Sequence, residues 1–344
     1  SDWSSDVCSS DLKYTFSARG SHKVKALTFS SSLNYSYQKN KFATTGQGLT
    51  MLNSLYQTPR DVSIISLQDQ NDIFNSPGYF YTPYGVMNPY YILENYLNEY
   101  DAERFYGKFQ VDYDFLKYFK FTYRMGLDTT TGQSNRGEPN LYALFYEGTP
   151  NGEGMGSNSP FYGKEGSYSQ QISRRREINQ DLLLSFSMPI NDFQINALAG
   201  FNGNERKYSY LYSSVSKLTI PTWYNLSNSA ATPTVEQYLS LRRLMGVFGQ
   251  VDLSWRNMLY VTLTARNDWS STLPKENRSF FYPGATGSFI FTELLDEDMK
   301  DILSFGKVRM AWGKTGNDAN VYMTKPVYGQ SSNRIPFGYL NFPL

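Results

Sequence analysis

The chain has very little of the side-chain chemistry that enzymes and metal sites use. It contains one cysteine, Cys8, and one histidine, His22. A single cysteine forms neither an intrachain disulfide nor a thiolate metal site, and a catalytic triad would depend on His22 alone. The acidic cluster around Asp298 also lacks the spacing of an EF-hand loop. These absences predict a protein that is not an enzyme and that has no cofactor and no metal site.

An excess of charge of one sign and a long apolar run are missing as well. The 32 basic and 31 acidic residues nearly balance, so no global field favours nucleic acid as a partner. No apolar run reaches the roughly 18 residues that identify a transmembrane helix. A membrane β-strand needs only about 10 residues, half of them polar. Of the two membrane architectures, only the β-barrel is compatible with the sequence.

The first twelve residues, SDWSSDVCSSDL, differ in their residue pattern from the rest of the chain. The Ser-Ser-Asp element is repeated, and the apolar stretch of a signal peptide is absent. We predict that residues 1–12 are a cloning or sequencing artefact, the alternative being a native polar loop. Residues 13–344 then form a single β-barrel portion without a cysteine.

Aromatic residues are abundant, with 29 Tyr and 23 Phe in 344 residues, although the mean hydropathy is only −0.49. Aromatic side chains favour pleated strands. Tyrosine in particular suits a surface with one apolar and one wet side. The composition therefore favours an all-β protein whose sheet separates two environments.

Alternation of apolar and polar residues identifies about ten strands. In Phe105–Phe115, for example, Phe109, Val111 and Tyr113 alternate with Gln110 and Asp112. Many charges share the polar side of these segments, which is typical of a solvated lumen. The predicted strands are Lys13–Gly20, Ala26–Tyr37, Phe105–Phe115, Phe119–Leu127, Ile178–Met188, Phe193–Phe201, Met245–Leu253, Leu259–Ala265, Phe281–Phe291 and Phe305–Thr315.

The connections between these strands alternate in length. Short turns are predicted at Ser21–Lys25, Leu116–Tyr118, Pro189–Asp192, Arg256–Met258 and, somewhat longer, Glu293–Leu303. Long loops are predicted at Gln38–Glu103, Thr129–Ser173, Asn204–Ser240 and Asp268–Ser279. Outer-membrane barrels have this rhythm, since their periplasmic turns are short and their extracellular loops are long. The sequence thus predicts a fragment of an antiparallel transmembrane β-barrel.

Seven segments, in order, resemble the SusC/RagA family of TonB-dependent outer-membrane transporters of the Bacteroidota. They are KYTFSAR (Lys13–Arg19), LTFSSSLNYSY (Leu27–Tyr37), YGKFQVDYDF (Tyr106–Phe115), RLMGVFGQVDLS (Arg243–Ser254), LYVTLTARNDWSS (Leu259–Ser271), NRSFFYPGATGS (Asn277–Ser288) and LSFGKVRMAWGKTGN (Leu303–Asn317). The last three are the most specific. The chain departs from the family at Trp269, where glycine is usual, and at Gly284 and Ala285, which replace Ser-Val.

The resemblance implies a barrel of about 22 strands, of which residues 13–344 supply about ten as a middle portion. The plug domain and the TonB box are expected outside this chain. It further implies TonB-dependent import of an oligosaccharide or peptide across the outer membrane, with a SusD-like surface lipoprotein as partner. The alternatives are a passive outer-membrane porin and a soluble secreted β protein that binds glycans.

Aromatic residues in the predicted long loops are the candidate ligand-binding residues, since aromatic faces beside amides and hydroxyls suit sugars and peptides. The candidates are Tyr84, Tyr146, Tyr162, Trp223, Tyr224 and Trp269. The alternative for each is that it only packs the loops together. Arg174–Arg176 is predicted to be a charged rim beside the outer-membrane lipid, with lipopolysaccharide phosphates as a possible partner.

Overall fold

The structure, a computed structural model, describes residues 11–46, 49–72, 74–75, 87–145, 163–324, 334–337 and 340–343. For residues 297, 300, 334–337 and 340–343 it describes the backbone alone. Ten antiparallel strands form one sheet in chain order, and two more form a separate hairpin. The predicted all-β class and the predicted number of strands are therefore confirmed.

The strands of the large sheet are β1 (Asp11–Val24), β2 (Leu27–Lys41), β3 (Leu97–Leu116), β4 (Phe119–Glu138), β5 (Ser167–Ile190), β6 (Phe193–Ser216), β7 (Thr234–Trp255), β8 (Leu259–Ser270), β9 (Ser279–Ile290) and β10 (Lys307–Gly313). The hairpin pairs β11 (Arg334–Phe337) with β12 (Leu340–Pro343). Four short helices lie in the connections: α1 (Met51–Gln57), α2 (Pro89–Asn95), α3 (Leu141–Phe145) and α4 (Glu297–Ile302). No helix within the described ranges has the length and apolar character needed to cross a membrane.

Strand pairing collects the alternating residues onto two faces of the large sheet. Phe109 of β3 lies opposite Met125 of β4, whereas Asp112 lies opposite Thr122. We call the side with Phe109 the apolar face and the side with Asp112 the polar face. The apolar face includes Leu182, Phe201, Val247, Leu263 and Met310 on later strands, and all five are at least 39% exposed.

The apolar face has no second layer of protein packed against it among the described residues. The buried hydrophobic residues cluster instead at the ends of the sheet and in the connections, as with Met87, Ile92, Leu141 and Leu218. A soluble sandwich would bury one face of its sheet against another layer. A broad exposed apolar surface marks a contact with lipid or with another protein.

The short turns lie at one end of the sheet, as predicted. Lys25, Asn191, Arg256 and Asn257 have positive φ values of 55°, 50°, 49° and 56°. Two consecutive positive φ angles, as at Arg256 and Asn257, are typical of the type I′ turn that joins twisted strands. The fifth connection at this end, between β9 and β10, is longer and contains α4. His22 lies within β1 opposite Phe29 rather than in the first turn.

At the opposite end the strands continue beyond the predicted limits. The chain pairs without interruption from Leu127↔Ile178 to Glu138↔Ser167, and from Phe201↔Val247 to Ser214↔Thr234. On β4 the extension is polar on both faces, and on β6 it places Tyr208, Tyr210 and Tyr212 on the polar face, so neither shows the alternation that identifies a half-buried strand. The long loops consequently shrink to residues 139–166 and 217–233, and the predicted boundaries of Thr129–Ser173 and Asn204–Ser240 are wrong.

The loop between β2 and β3 folds around α2. The side chain of Asn88 is fully buried; it accepts a hydrogen bond from the Tyr90 amide and donates to the carbonyl oxygens of Leu67 and Asn75 at 2.8 and 2.6 Å. This N-cap fixes the start of the helix. The helix ends at Asn95, and β3 begins two residues later at Leu97.

Candidate functional site

Hydrogen bonds and ion pairs between strands run across the polar face. Thr122 donates to Asp112 at 2.6 Å, Arg124 forms an ion pair with Asp181 at 3.1 Å, and Thr262 donates to Asp252 at 2.6 Å. These residues lie on the polar side that the sequence predicts. A face with this density of charge is built to contact water and solutes.

Three arginines meet on the polar face near the loop end of the sheet. Arg206 of β6 lies opposite Arg242 of β7, and Arg175 of β5 lies opposite Tyr208 of β6. Together with Ser240 and the 318–321 segment they line a cavity of about 410 Å³. We call this cavity the arginine pocket. Directly opposed like charges repel, so the pocket needs negative partners or a negatively charged ligand.

Two carboxylates supply part of that negative charge. Glu177 forms an ion pair with Arg206 at 2.9 Å, and Asp318 forms one with Arg242 at 2.5 Å. Arg175 is exposed and has no hydrogen-bond or ion-pair partner within the described part of the chain. The pocket therefore presents one guanidinium group that forms no ion pair within the described part of the chain. Guanidinium forks bind carboxylates, phosphates and sulfates with two parallel hydrogen bonds.

A tyrosine cluster borders the arginine pocket through Tyr208. The rings of Tyr210 and Tyr238 are stacked with centroids 5.4 Å apart, and Tyr208 lies 6.1 Å from Tyr210 and 6.2 Å from Tyr238. The Tyr210 hydroxyl donates to Glu236. Aromatic faces beside hydroxyl and carboxylate groups can stack on sugar rings or on peptide side chains. The pocket and the cluster together form the candidate binding surface.

Asp318 holds the 314–324 segment over this surface. Its carboxylate accepts two hydrogen bonds from Arg242, at 3.0 and 2.5 Å, and further ones from Ser270 at 2.5 Å and Thr272 at 3.1 Å. Burial alone would raise the pKa of Asp318, but the hydrogen bonds from Ser270 and Arg242 and the charge of Arg242 outweigh it and hold the pKa below its ordinary value. Asp318 is therefore an ionised clamp at neutral pH.

Substitution Asp318→Asn is expected to loosen the 314–324 segment. The asparagine keeps the size but loses the charge that Arg242 contacts, and each charge-assisted hydrogen bond contributes about 1.5–3 kcal/mol. Because the pKa of Asp318 is lowered, the clamp is complete above the ordinary aspartate pKa of about 3.9 and is lost as the pH falls through the lower, folded value. Amide hydrogen exchange of the full-length protein at neutral pH should show faster exchange in 314–324.

Asp298→Asn is the matched control, since Asp298 is exposed in the β9–β10 connection and forms no ion pair among the described residues. Equal exchange in both variants would mean that the segment is held by something other than the Asp318 carboxylate.

The structure describes three of the six predicted ligand-binding residues and places them in different surroundings. Tyr84, Tyr146 and Tyr162 lie outside the described residues. Trp223 is 47% exposed in the 217–233 loop. Trp269 lies in β8 rather than in a loop, on the apolar face opposite Met245 and Ser279. None of the described candidates lines the arginine pocket, and ligand binding by all six stays a prediction.

Tyr224 packs the 217–233 loop onto the sheet. Its ring stacks on Tyr168 with centroids 6.2 Å apart, and its hydroxyl donates to the carbonyl oxygen of Asn95. The ring also covers Gly137, where an added Cβ would lie 2.5 Å from it. Burial raises the pKa of Tyr224 well above its ordinary range. The contacts of Tyr224 therefore agree with the alternative to ligand binding, in which a loop aromatic residue only packs the loops together.

The sequence predicts a single rim at Arg174–Arg176 and does not predict the arginine pocket. Alternation places Arg175 on the polar face and its two neighbours on the apolar face, which strand parity alone could have indicated. No local sequence pattern predicts that Arg206, Arg242 and Asp318 lie close together. Within the described ranges, no three His, Cys, Asp or Glu side chains are grouped so that they could hold a metal ion.

No family model matches the chain. Among curated relatives, it is 23% identical over 279 residues to TonB-dependent receptor P3 of Formosa agariphila, a match covering 79% of the chain and 25% of the relative. It is 26% identical over 278 residues to TonB-dependent receptor SusC of Bacteroides thetaiotaomicron, covering 77% of the chain and 25% of the relative. The chain thus spans about a quarter of the length of these relatives.

Solved structures of the RagAB peptide transporter have the same fold. One matches with a TM-score of 0.67 at 14% identity, covering 89% of this chain and 33% of the other. The 'open-open' state of the RagAB peptide importer matches with a TM-score of 0.67 at 16% identity, covering 93% and 34%. The names of these proteins describe receptors and transporters. The chain is thus similar in sequence to TonB-dependent receptors, SusC among them, and its ten-stranded sheet has the fold of a part of the RagAB structures.

Proposed function

We propose that the full-length protein imports a nutrient across the outer membrane in a TonB-dependent manner, together with a SusD-like surface lipoprotein. The apolar face of this segment contacts outer-membrane lipid, and the polar face lines the lumen. The single observation that carries this arrangement is the asymmetry of the sheet. One face is broadly apolar and exposed, and the other carries linked charges and an open binding surface.

The nutrient is an oligosaccharide or a peptide that carries an acidic group. The arginine pocket would bind that group, with Arg175 as the unpaired cation and Arg206 and Arg242 beside it. The tyrosine cluster would stack on the adjoining sugar ring or side chain. The RagAB neighbours are described as a peptide transporter, which supports a peptide as one of the two substrate classes.

Uptake by a deletion strain that carries the full-length gene on a plasmid tests this function. Labelled acidic oligosaccharides and peptides should accumulate only with the gene present, and a protonophore or loss of TonB should stop accumulation. Uptake that persists without TonB and without an energised membrane would instead support a passive porin. Recovery of the protein from the aqueous fraction would support a secreted glycan-binding protein.

A further inference from the structure

A groove lies on the apolar face of β6, β7 and β8, near the loop end of the sheet. Its volume is about 620 Å³, and its apolar lining includes Phe201, Met245 and Trp269. Gly203, Met245 and Trp269 are register neighbours across the three strands. Because Gly203 has no side chain, the space between the larger residues stays open. The groove is thus formed in the strands themselves and lies on the opposite face from the arginine pocket.

Gly203, Met245 and Trp269 form one row across the strands, and charged residues occupy the next row toward the loop end of the sheet. Glu205 and Arg243 pair in the next row of the same face, about two residues or roughly 7 Å toward the loops. Arg243 and Arg278 line the groove at this end, and both are exposed. The groove therefore has an apolar floor and a basic rim, at the level where the apolar face ends.

The charges at the rim are unbalanced. Glu205 is shared between Arg176 at 3.0 Å and Arg243 at 2.8 Å. Arg278 has no side-chain partner among the described residues. Glu205 is thus the single carboxylate in the lining of the groove, which also holds the guanidinium groups of Arg243 and Arg278, with Arg176 bound to Glu205 beside it. An excess of positive charge beside exposed apolar side chains fits an amphiphile whose head group is anionic.

We propose that this groove binds a phosphorylated lipid of the outer leaflet. An acyl chain lies along Phe201, Met245 and Trp269, and the phosphate accepts hydrogen bonds from Arg243 and Arg278. The proposal rests on the membrane placement given under the proposed function, but it does not depend on TonB or on any substrate. Trp269, whose indole suits the boundary between lipid and head group, is part of this lipid groove.

Native mass spectrometry of the full-length receptor in mild detergent tests the proposal. The probes are lipid A with its phosphates, phosphatidylglycerol, and diacylglycerol, which has acyl chains but no phosphate. Double substitution Arg243→Gln and Arg278→Gln is expected to weaken binding of the phosphorylated lipids about tenfold and to leave diacylglycerol unchanged. A difference between lipid A and phosphatidylglycerol identifies the source of the phosphate.

The control is Arg60→Gln with Arg309→Gln, which removes two exposed arginines from a loop and from the polar face. Trp269→Ser should weaken all three lipids, because it removes part of the apolar floor. Equal binding by the wild type and the Arg243→Gln, Arg278→Gln variant, with native heat-shifted gel mobility in both, would overturn the proposal. So would an equal loss in the control. Neither result bears on uptake, which is measured separately.

Discussion

With the proposed membrane placement, lysine in place of Leu263 is expected to make the full-length protein accumulate poorly in the outer membrane, whereas lysine in place of the adjacent Thr264 is expected to be tolerated. Leu263 lies on the apolar face of β8, between Val251 and Ala285 on the neighbouring strands, and is 50% exposed. A lysine on the lipid face costs about 2–4 kcal/mol at the bilayer midplane and about 0–1 kcal/mol near the interfaces. Leu263 lies near the middle of β8, so the larger cost applies.

Thr264 is the matched control because it occupies the next position of the same strand on the polar face. It lies opposite Gln250 and Gly284, and a lysine there would point toward water. The measurement is urea unfolding of the full-length receptor in lipid, together with its heat-shifted gel mobility. Equal destabilisation by the two lysines would contradict the assignment of the faces and would indicate that the apolar face packs against protein.

Charge reversal at Arg175 is expected to weaken uptake of the acidic nutrient by at least about tenfold. A hydrogen bond to a charged group contributes about 1.5–3 kcal/mol, and about 1.4 kcal/mol corresponds to tenfold in affinity. Arg175 is the sharpest probe of the pocket because it has no carboxylate partner in the described chain. Replacing Arg206 or Arg242 would instead leave Glu177 or Asp318 unpaired and mix structural with binding effects.

Arg174→Glu is the control for Arg175→Glu, since it makes the same change one residue away on the opposite face of β5. The measurement is concentration-dependent uptake of the acidic nutrient and of a neutral, amidated form. Arg175→Glu should reduce the discrimination between the two, while Arg174→Glu should leave it unchanged. Equal losses for the acidic and neutral forms would mean that the pocket does not recognise the acidic group.

The folded structure corrects the sequence-based prediction mainly at the loop end. Thr129–Glu138 and Asn204–Ser216 pair through their backbones over their whole length, although the first is polar on both faces and the second has its tyrosines on the polar face. Alternation detects a strand only where its two faces meet different environments. The sequence therefore predicts the strands correctly from the short turns to the end of the apolar face. Beyond that level, it predicts that the strands end earlier than they do.

The predicted binding residues show the same division. Aromatic composition pointed to Trp223, Tyr224 and Trp269, but strand pairing and loop packing determine their surroundings. Trp269 faces the lipid groove, and Tyr224 is held against Tyr168 and Asn95. The type of a residue limits which ligands it can bind, whereas strand pairing and loop packing determine which residues surround it.

The sequence by itself determined the all-β class, the positions of the ten strands, their two faces, and the alternation of short turns with long connections. These features arise from local periodicity, because a strand reverses its side chains at every residue. The tertiary structure alone decided that Arg175, Arg206 and Arg242 line one pocket and that Asp318 clamps a segment across it. Arg242 and Asp318 are 76 residues apart. Such an approach depends on strand register and on the return of the chain over the sheet, for which no local pattern exists.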